Sequence, residues 1–257
     1  MLTIRPIPAF NDNYIWLITQ GDSVQAFVVD PGDAAVVNDV LRQERLTLTG
    51  ILITHHHPDH IGGLGELRHT WNPLVYGPDN PAIEGIDRRM AGGDVASVLG
   101  CEFQVMTVPG HTLDHIAYFH RGEPPILFCG DTLFAGGCGR VFEGTPAMMH
   151  NSLRSLAALP EATSIYCAHE YTLANLAFAR AVEPDNVALR ERSLVAKATR
   201  DAGQPTVPST LALELATNPF LRCEEAALQQ ALLKQGRLQS TTGDGVFAEV
   251  RAWKDSF

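Results

Sequence analysis

The stretch "ITHHHPDHIGG", Ile53 to Gly63, gathers His55, His56, His57 and His60 around Asp59. The whole chain of 257 residues has ten histidines, so this density is a local decision. An apolar run, "LTGILIT", leads into it and reads as a buried strand. A strand end followed by His-x-His-x-Asp-His can aim several side chains into one hollow while the backbone turns into a helix. Gly62 and Gly63 allow the turn to be close. Packed imidazoles have no common structural use. Neutral imidazole and carboxylate suit zinc, iron or manganese. One such ion takes three or four protein ligands, and this segment alone offers more. The surplus points to two metals.

Further ligands should then come from later strand ends. "VPGHTLDH" puts His111 just after a β run, "FCGDTLF" puts Asp131 after another, and "YCAHEYT" puts His169 after a third. Sites in open α/β sheets gather at strand ends in this way. A single His or Asp in such a place is ordinarily a cap or a satisfied polar group. Beside the histidine string, the three become candidates together.

Working outward, the first two-thirds of the chain alternate strand and helix signals. "LTIRPI", "NYIWLI" and "QAFVVD" read as consecutive strands, the last stopped by Pro31-Gly32. Asp33 can cap a helix whose apolar positions Val36, Val37, Val40 and Leu41 share a face. "FQVMTV", "IAYF", "PILFC" and "TSIYCA" are further strands, and Thr145-Pro146 is a helix start. After about residue 171, five segments are helical in propensity and lack strand runs: "TLANLAFARAV", "NVALRERSLVAKATRDAG", "STLALELA", "EEAALQQALLKQG" and "GDGVFAEVRAWKDSF". The expectation is an α/β domain over residues 1–170 and a small all-helical one over 171–257.

Composition narrows the function. The chain is 45% hydrophobic and 19% charged, with a formal net charge of -10. That charge opposes nucleic acid as a partner, since phosphate binding needs a basic surface. An anionic substrate would need a local cationic patch. No signal peptide and no membrane span are read, and a monomer is expected. The five cysteines, Cys101, Cys129, Cys138, Cys167 and Cys223, are scattered without a CxxC pair, which fits a reducing cytoplasm.

"THHHPDH", with "GH", "GD" and "HE" downstream in that order, resembles the metallo-β-lactamase superfamily. Within it, "FNDNY", "CGDTLFAGGCGRVFEGT", "CAHEYT", "VPSTL" and "NPFLR" resemble the hydroxyacylglutathione hydrolase (glyoxalase II) family. The resemblance implies an αββα sandwich followed by a small helical domain. It also implies two divalent ions, zinc first, with iron or manganese as alternatives. His55, His57 and His111 go to one ion, Asp59, His60 and His169 to the other, and Asp131 bridges them. His56 falls outside the set and should point away. His115 is a supporting or structural residue, slightly favouring structural. His69, His120 and His150 are surface or core residues. Asp30, in "VVDPG", resembles an early aspartate of the superfamily that supports ligands.

The implied chemistry is hydrolysis of an acylated glutathione, with S-lactoylglutathione as the typical case, in detoxification of methylglyoxal. Two metals about 3.5–4 Å apart can share a water and lower its pKa from 15.7 toward roughly 7. The resemblance makes Asp59 and Asp131 the catalytic residues, beside a hydroxide that the two ions share and that attacks the thioester. The thiolate leaves readily, its thiol pKa being about 8.5. Neither a serine nucleophile nor a G-x-S-x-G string is needed.

Glutathione carries two carboxylates. Arg251 and Lys254, at i and i+3 in "EVRAWKDSF", share a helix face. On pattern alone a solvated face explains them; the resemblance makes them substrate contacts. It adds Tyr171, Arg140 at a basic position often occupied by Lys, and Phe142 where some relatives have Tyr. Asn11, Asp12 and Asn13 fit capping as well as catalysis. A tRNA-processing nuclease, a mononuclear-iron persulfide dioxygenase, a lactonase and a non-catalytic metal-binding protein are the rival readings. The charge opposes the first, the full ligand set the second and fourth, and the Arg251–Lys254 tail the third.

Overall fold

Short runs of β-branched and aromatic residues, broken by Gly, Pro and Asn, give the N-terminal half its strands. The computed structural model describes residues 1–257. By internal contacts the chain divides into two units, Met1–Thr107 with Asp114–Gly130, and Val108–Leu113 with Asp131–Phe257.

The first unit contains, in chain order, β1 (Leu2–Ala9), β2 (Asn13–Gln20), β3 (Gln25–Val29), α1 (Ala34–Glu44), β4 (Thr47–Leu52), α2 (Pro58–Ile61) and α3 (Leu64–Trp71). They are followed by β5 (Leu74–Pro78), β6 (Arg88–Met90), β7 (Val95–Val98), β8 (Cys101–Thr107), β9 (Ile116–His120) and β10 (Ile126–Gly130). Strands β1 to β6 form one sheet in sequence order, antiparallel from β1 to β3 and parallel from β3 to β6. Strands β7 to β10 form an antiparallel meander. Asp33 caps α1 as the sequence reading expects, accepting from Ala35 N at 2.8 Å. Val37 and Leu41 of that helix pack with Ile15, Leu17, Val28, Ile51 and Val75. Each fully buried aliphatic side chain stabilises the unit by about 1.5–3 kcal/mol.

Two contacts lock the meander onto the end of β4. Tyr118 Oη donates to Ile53 O at 2.8 Å, and Ile116 N donates to Thr54 O at 2.9 Å. Burial, then the Asp30 charge, pushes the Tyr118 phenol well above its usual range, so it stays a donor. The residues before the histidine string are therefore held from both sheets.

The second unit contains β11 (Leu133–Phe134), β12 (Gly137–Cys138), α4 (Pro146–Ala157), β13 (Ser164–Cys167), α5 (Thr172–Val182) and α6 (Val187–Asp201). Then come β14 (Ser209–Thr210), α7 (Leu211–Thr217), a 3-10 turn (Pro219–Leu221), α8 (Ala226–Lys234) and α9 (Gly243–Ser256). Thr145, Asn186 and Thr242 cap α4, α6 and α9 through Met148 N, Leu189 N and Gly245 N, each cap stabilising by about 1 kcal/mol. The C-terminal segment is not free of strand, contrary to the sequence reading. Ser209 and Thr210 pair antiparallel with Ile165 and Ser164. Two residues carry no periodicity, so only the distant partner strand reveals them.

A buried polar knot fixes the β11–β12 hairpin. Glu214 is fully buried and pairs with Arg192 Nη2 and Ser209 Oγ. Its second oxygen accepts from Gly136 N at 2.8 Å and Asn218 Nδ2 at 3.1 Å. Asn218 Nδ2 also donates to Gly137 O at 2.8 Å, and Asn175 Nδ2 to Ala135 O at 3.2 Å. The hairpin lies between Asp131 and Arg140, so this knot holds a segment that carries two candidate site residues. None of the five cysteines forms a disulfide; four are buried and Cys101 is half-buried. Burial pushes the Cys138 thiol up to about 11 and that of Cys167 to about 12.

Candidate metal centre

In the first unit, β3 and β4 end side by side and deliver Asp30 and Thr54 together. Asp30 adopts a left-handed backbone at φ 51°, which costs about 1–2 kcal/mol for a residue with a Cβ. Its carboxylate offsets that. Thr54 N donates to Oδ1 at 2.7 Å and Thr54 Oγ1 to Oδ2 at 2.7 Å, while His60 Nδ1 lies 3.1 Å from Oδ2. A carboxylate only accepts, so His60 donates from Nδ1, and the neutral ring presents the Nε2 lone pair. That atom faces Asp59 Oδ2 at 3.5 Å.

The same logic sets His55. The one hydroxyl proton of Thr54 goes to Asp30, so Thr54 Oγ1 accepts from His55 Nδ1 at 3.1 Å. His55 Nε2 is then a lone pair, 3.1 Å from His57 Nδ1. His115 stacks on the His55 ring, with centroids 4.6 Å apart, and donates through Nδ1 to Ile116 O. Asn13 Nδ2 donates to Asp59 Oδ2 at 2.9 Å, which gives one of the three N-terminal turn residues a positioning role. His56 turns elsewhere: its Nδ1 lies 2.9 Å from Asp114 Oδ1.

Gly62 and Gly63 matter for a different reason than the turn itself. Their φ values, -58° and -85°, are ordinary helical ones. A Cβ on Gly62 would lie 2.7 Å from Gly32 O, and one on Gly63 2.6 Å from Pro31 O. What they permit is close approach of the Pro31–Gly32 backbone, which keeps Asp30 against His60.

In the second unit, His111 Nδ1 donates to Arg140 O at 2.8 Å, turning its Nε2 toward Asp131 Oδ2 at 3.4 Å. His169 Nε2 lies at the same distance, 3.4 Å, from that same oxygen. One carboxylate oxygen thus stands between two imidazole nitrogens. Where a lone pair faces an acceptor at this separation, the donor set fits a cation and repels in its absence. The ligand atoms of these His and Asp side chains fall in groups that could hold a metal ion.

The candidate substrate groups divide by exposure. Tyr171 stacks on His169, with centroids 4.7 Å apart and planes 5° from parallel. Phe142 is exposed and meets the His111 ring edge-on at 5.3 Å. Arg140 is exposed, its Nε 3.5 Å from Asp255 Oδ1. Arg251, in contrast, is buried and donates to Cys138 O and Asp255 Oδ1. Lys254 is half-buried over the Phe178 and Phe257 rings, and burial, followed by the Arg251 charge, lowers its pKa. The supports to which sequence reading gives no role are Thr54, Glu214, Asn218 and Asp255, while it leaves Asn13 between capping and catalysis. Thr54 and Asn218 lie in the "THHHPDH" and "NPFLR" blocks and Asp255 in "EVRAWKDSF", whereas nothing singles out Glu214.

Residues 10–169 match the metallo-β-lactamase superfamily, and residues 170–257 match the hydroxyacylglutathione hydrolase C-terminus. A hydroxyacylglutathione hydrolase of Pseudomonas aeruginosa is 52% identical over 258 residues, covering all of both chains. One of Dechloromonas aromatica is 53% identical over 270 residues, again end to end. The chain belongs to the hydroxyacylglutathione hydrolase family. Among solved structures, ETHE1 of Myxococcus xanthus covers 99% of each chain at 26% identity, with a TM-score of 0.66. The B3 metallo-β-lactamase BLEG-1 covers 86% of this chain and 99% of its own at 23% identity, with a TM-score of 0.64. The fold is the αββα metallo-β-lactamase sandwich followed by a C-terminal helical region, as the sequence reading expected. Family and His/Asp groups together support binding of divalent metal. No helix is long and apolar enough to cross a membrane.

Proposed function

We propose that this chain hydrolyses the thioester of S-2-hydroxyacylglutathione, typically S-D-lactoylglutathione, releasing glutathione and a 2-hydroxy acid, in the second step of methylglyoxal detoxification. The observation that carries the reading is end-to-end identity of about half with relatives named for that activity. His55, His57 and His111 are assigned to one ion, Asp59, His60 and His169 to the other, and Asp131 to both. Zinc is the first choice, and iron or manganese are alternatives with the same ligand chemistry.

When bound, two divalent ions supply an acidified water at neutral pH and a Lewis acid for the carbonyl. The chain supplies the rest. Asp30 holds the His60 tautomer directly and that of His55 through Thr54; Arg140 O holds that of His111. Asn13 keeps one oxygen of Asp59 in place. Tyr171 and Phe142 offer aromatic surface beside His169 and His111. Arg140, Arg251 and Lys254 supply positive charge for the glutathione carboxylates, against a chain of net charge -10. A thiolate leaving group needs no strong acid.

Residues 1–170 form the catalytic domain in this reading, and residues 171–257 the substrate-binding one. The protein acts as a cytoplasmic monomer with no nucleic-acid partner. The test is metal analysis of the purified chain combined with hydrolysis assays on S-lactoylglutathione, a lactone, a β-lactam and a phosphodiester. Two ions per chain and turnover of the thioester above the rest are expected. Full metal loading with intact S-lactoylglutathione would overturn the reading.

A further inference from the structure

Near the C-terminal end of α9 one carboxylate is shared by two of the cations assigned to substrate. Asp255 Oδ1 lies 2.8 Å from Arg251 Nη2 and 3.5 Å from Arg140 Nε. The three side chains grade outward: Arg251 is 9% exposed, Asp255 35% and Arg140 58%. Asp255 is not required to place Arg251. Arg251 Nη1 donates to Cys138 O at 3.2 Å, and the guanidinium lies 5.1 Å from the centre of the Phe220 ring. Nor does α9 favour an anion there, because the helix dipole makes its last turn a site for cations.

We propose that Asp255 is a specificity-determining residue, an internal carboxylate that occupies the guanidinium edges a glutathione carboxylate would take. This rests on the glutathione-thioester reading above. The physical content is competition. A buried guanidinium with an ionic partner at 2.8 Å has its charge compensated, and an incoming carboxylate must displace or share that partner. Arg140, the exposed member, meets the substrate first, and Asp255 weakens its field as well. The chain therefore holds anionic conjugates less tightly than its cations alone would. Looser binding favours release of glutathione, which keeps both carboxylates after the thioester is cut.

The experiment compares the wild type with Asp255→Asn, which keeps shape and hydrogen-bonding capacity but removes the charge. Two readouts are taken on metal-loaded protein: calorimetric binding of glutathione, and KM for S-lactoylglutathione and for its diethyl ester, whose carboxylates are blocked. In the variant, glutathione should bind roughly threefold to tenfold more tightly and KM for the free acid should fall by a similar factor. KM for the diester should stay within about twofold, since its blocked carboxylates leave little for a removed charge to act on. Unchanged or weaker glutathione binding, or equal shifts for acid and diester, would overturn the proposal. Glutathione binding is read without turnover, so failure of the wild type to hydrolyse any thioester sinks the function while leaving this inference tested. Should the Asn variant not fold, Arg140→Gln, at an exposed side chain, takes its place. It should raise KM for the acid more than for the diester, and equal effects would count against the shared-carboxylate arrangement.

Discussion

The turn at residues 53–63 and the C-terminal helix α9 both carry charged or polar groups that the sequence singles out, yet the fold treats them differently. In the turn, the bonds that orient His55 and His60 go to the back of each ring. Asp30 takes His60 Nδ1 and Thr54 takes His55 Nδ1, so both Nε2 lone pairs face forward. In α9 the bonds go to the working end. Arg251 donates to Cys138 O and Asp255, and Lys254 lies over two aromatic rings. One region is organised to leave donor atoms available to an added cation. The other has its charge largely compensated from within.

The sharpest way to break this contrast is Asp131→Asn. Removing the carboxylate charge between His111 and His169 should remove metal and lower kcat/KM by about 10³-fold, several kcal/mol of transition-state stabilisation. Metal content by mass spectrometry and steady-state kinetics check it; a fully loaded, active variant would end the bridging assignment. Asp30→Asn acts one bond further back. It should weaken metal affinity or activity by about 10- to 100-fold, as loss of a ligand's supporting carboxylate ordinarily does. Competition with a chelator measures that, and an unchanged affinity would mean that Asp30 supports only the turn.

The α9 side is sharpened by paired substitutions. Lys254→Ala should raise KM for S-lactoylglutathione a few-fold at constant kcat, the signature of lost ground-state binding. Arg251→Ala should do the same and also lower stability by about 1–3 kcal/mol, since it strands buried acceptors. Denaturant unfolding separates the two, and equal stability in both variants would contradict the buried role of Arg251. The smallest effect belongs to His56→Gln. Its side chain faces Asp114, so two metals per chain should be kept and stability should change by less than about 1 kcal/mol. Loss of an ion would put His56 into the ligand set.

The candidate metal-binding residues stand out in the sequence because ligand chemistry is strict. Few functions need three imidazoles and a carboxylate within six residues, and a strand before them fixes their direction. The long helices were legible for a similar reason: "TLANLAFARAV" corresponds to α5, Thr172–Val182, residue for residue. The short elements β11, β12 and β14 were not, because two residues carry no periodicity: β11 and β12 pair only with each other across a tight hairpin, and β14 only with the more distant β13. Asp255 was passed over for another reason. An Asp four residues after an Arg reads as an ordinary helix-surface pair, and nothing local says that Arg140 arrives from a loop more than a hundred residues earlier.

By itself, then, the sequence determined the candidate ligand types, the strand that leads into them, the helical C-terminal segment and the family. Those follow from local periodicity and from coordination chemistry, which are carried by neighbouring residues. Which nitrogen of each imidazole faces forward, which glycine admits the Pro31 backbone, and whether a cation is available or already paired were decided only by the tertiary structure. Each depends on a hydrogen-bond or ion-pair partner brought from elsewhere in the chain, and the strength of that contact is set by burial and distance rather than by spacing along the chain.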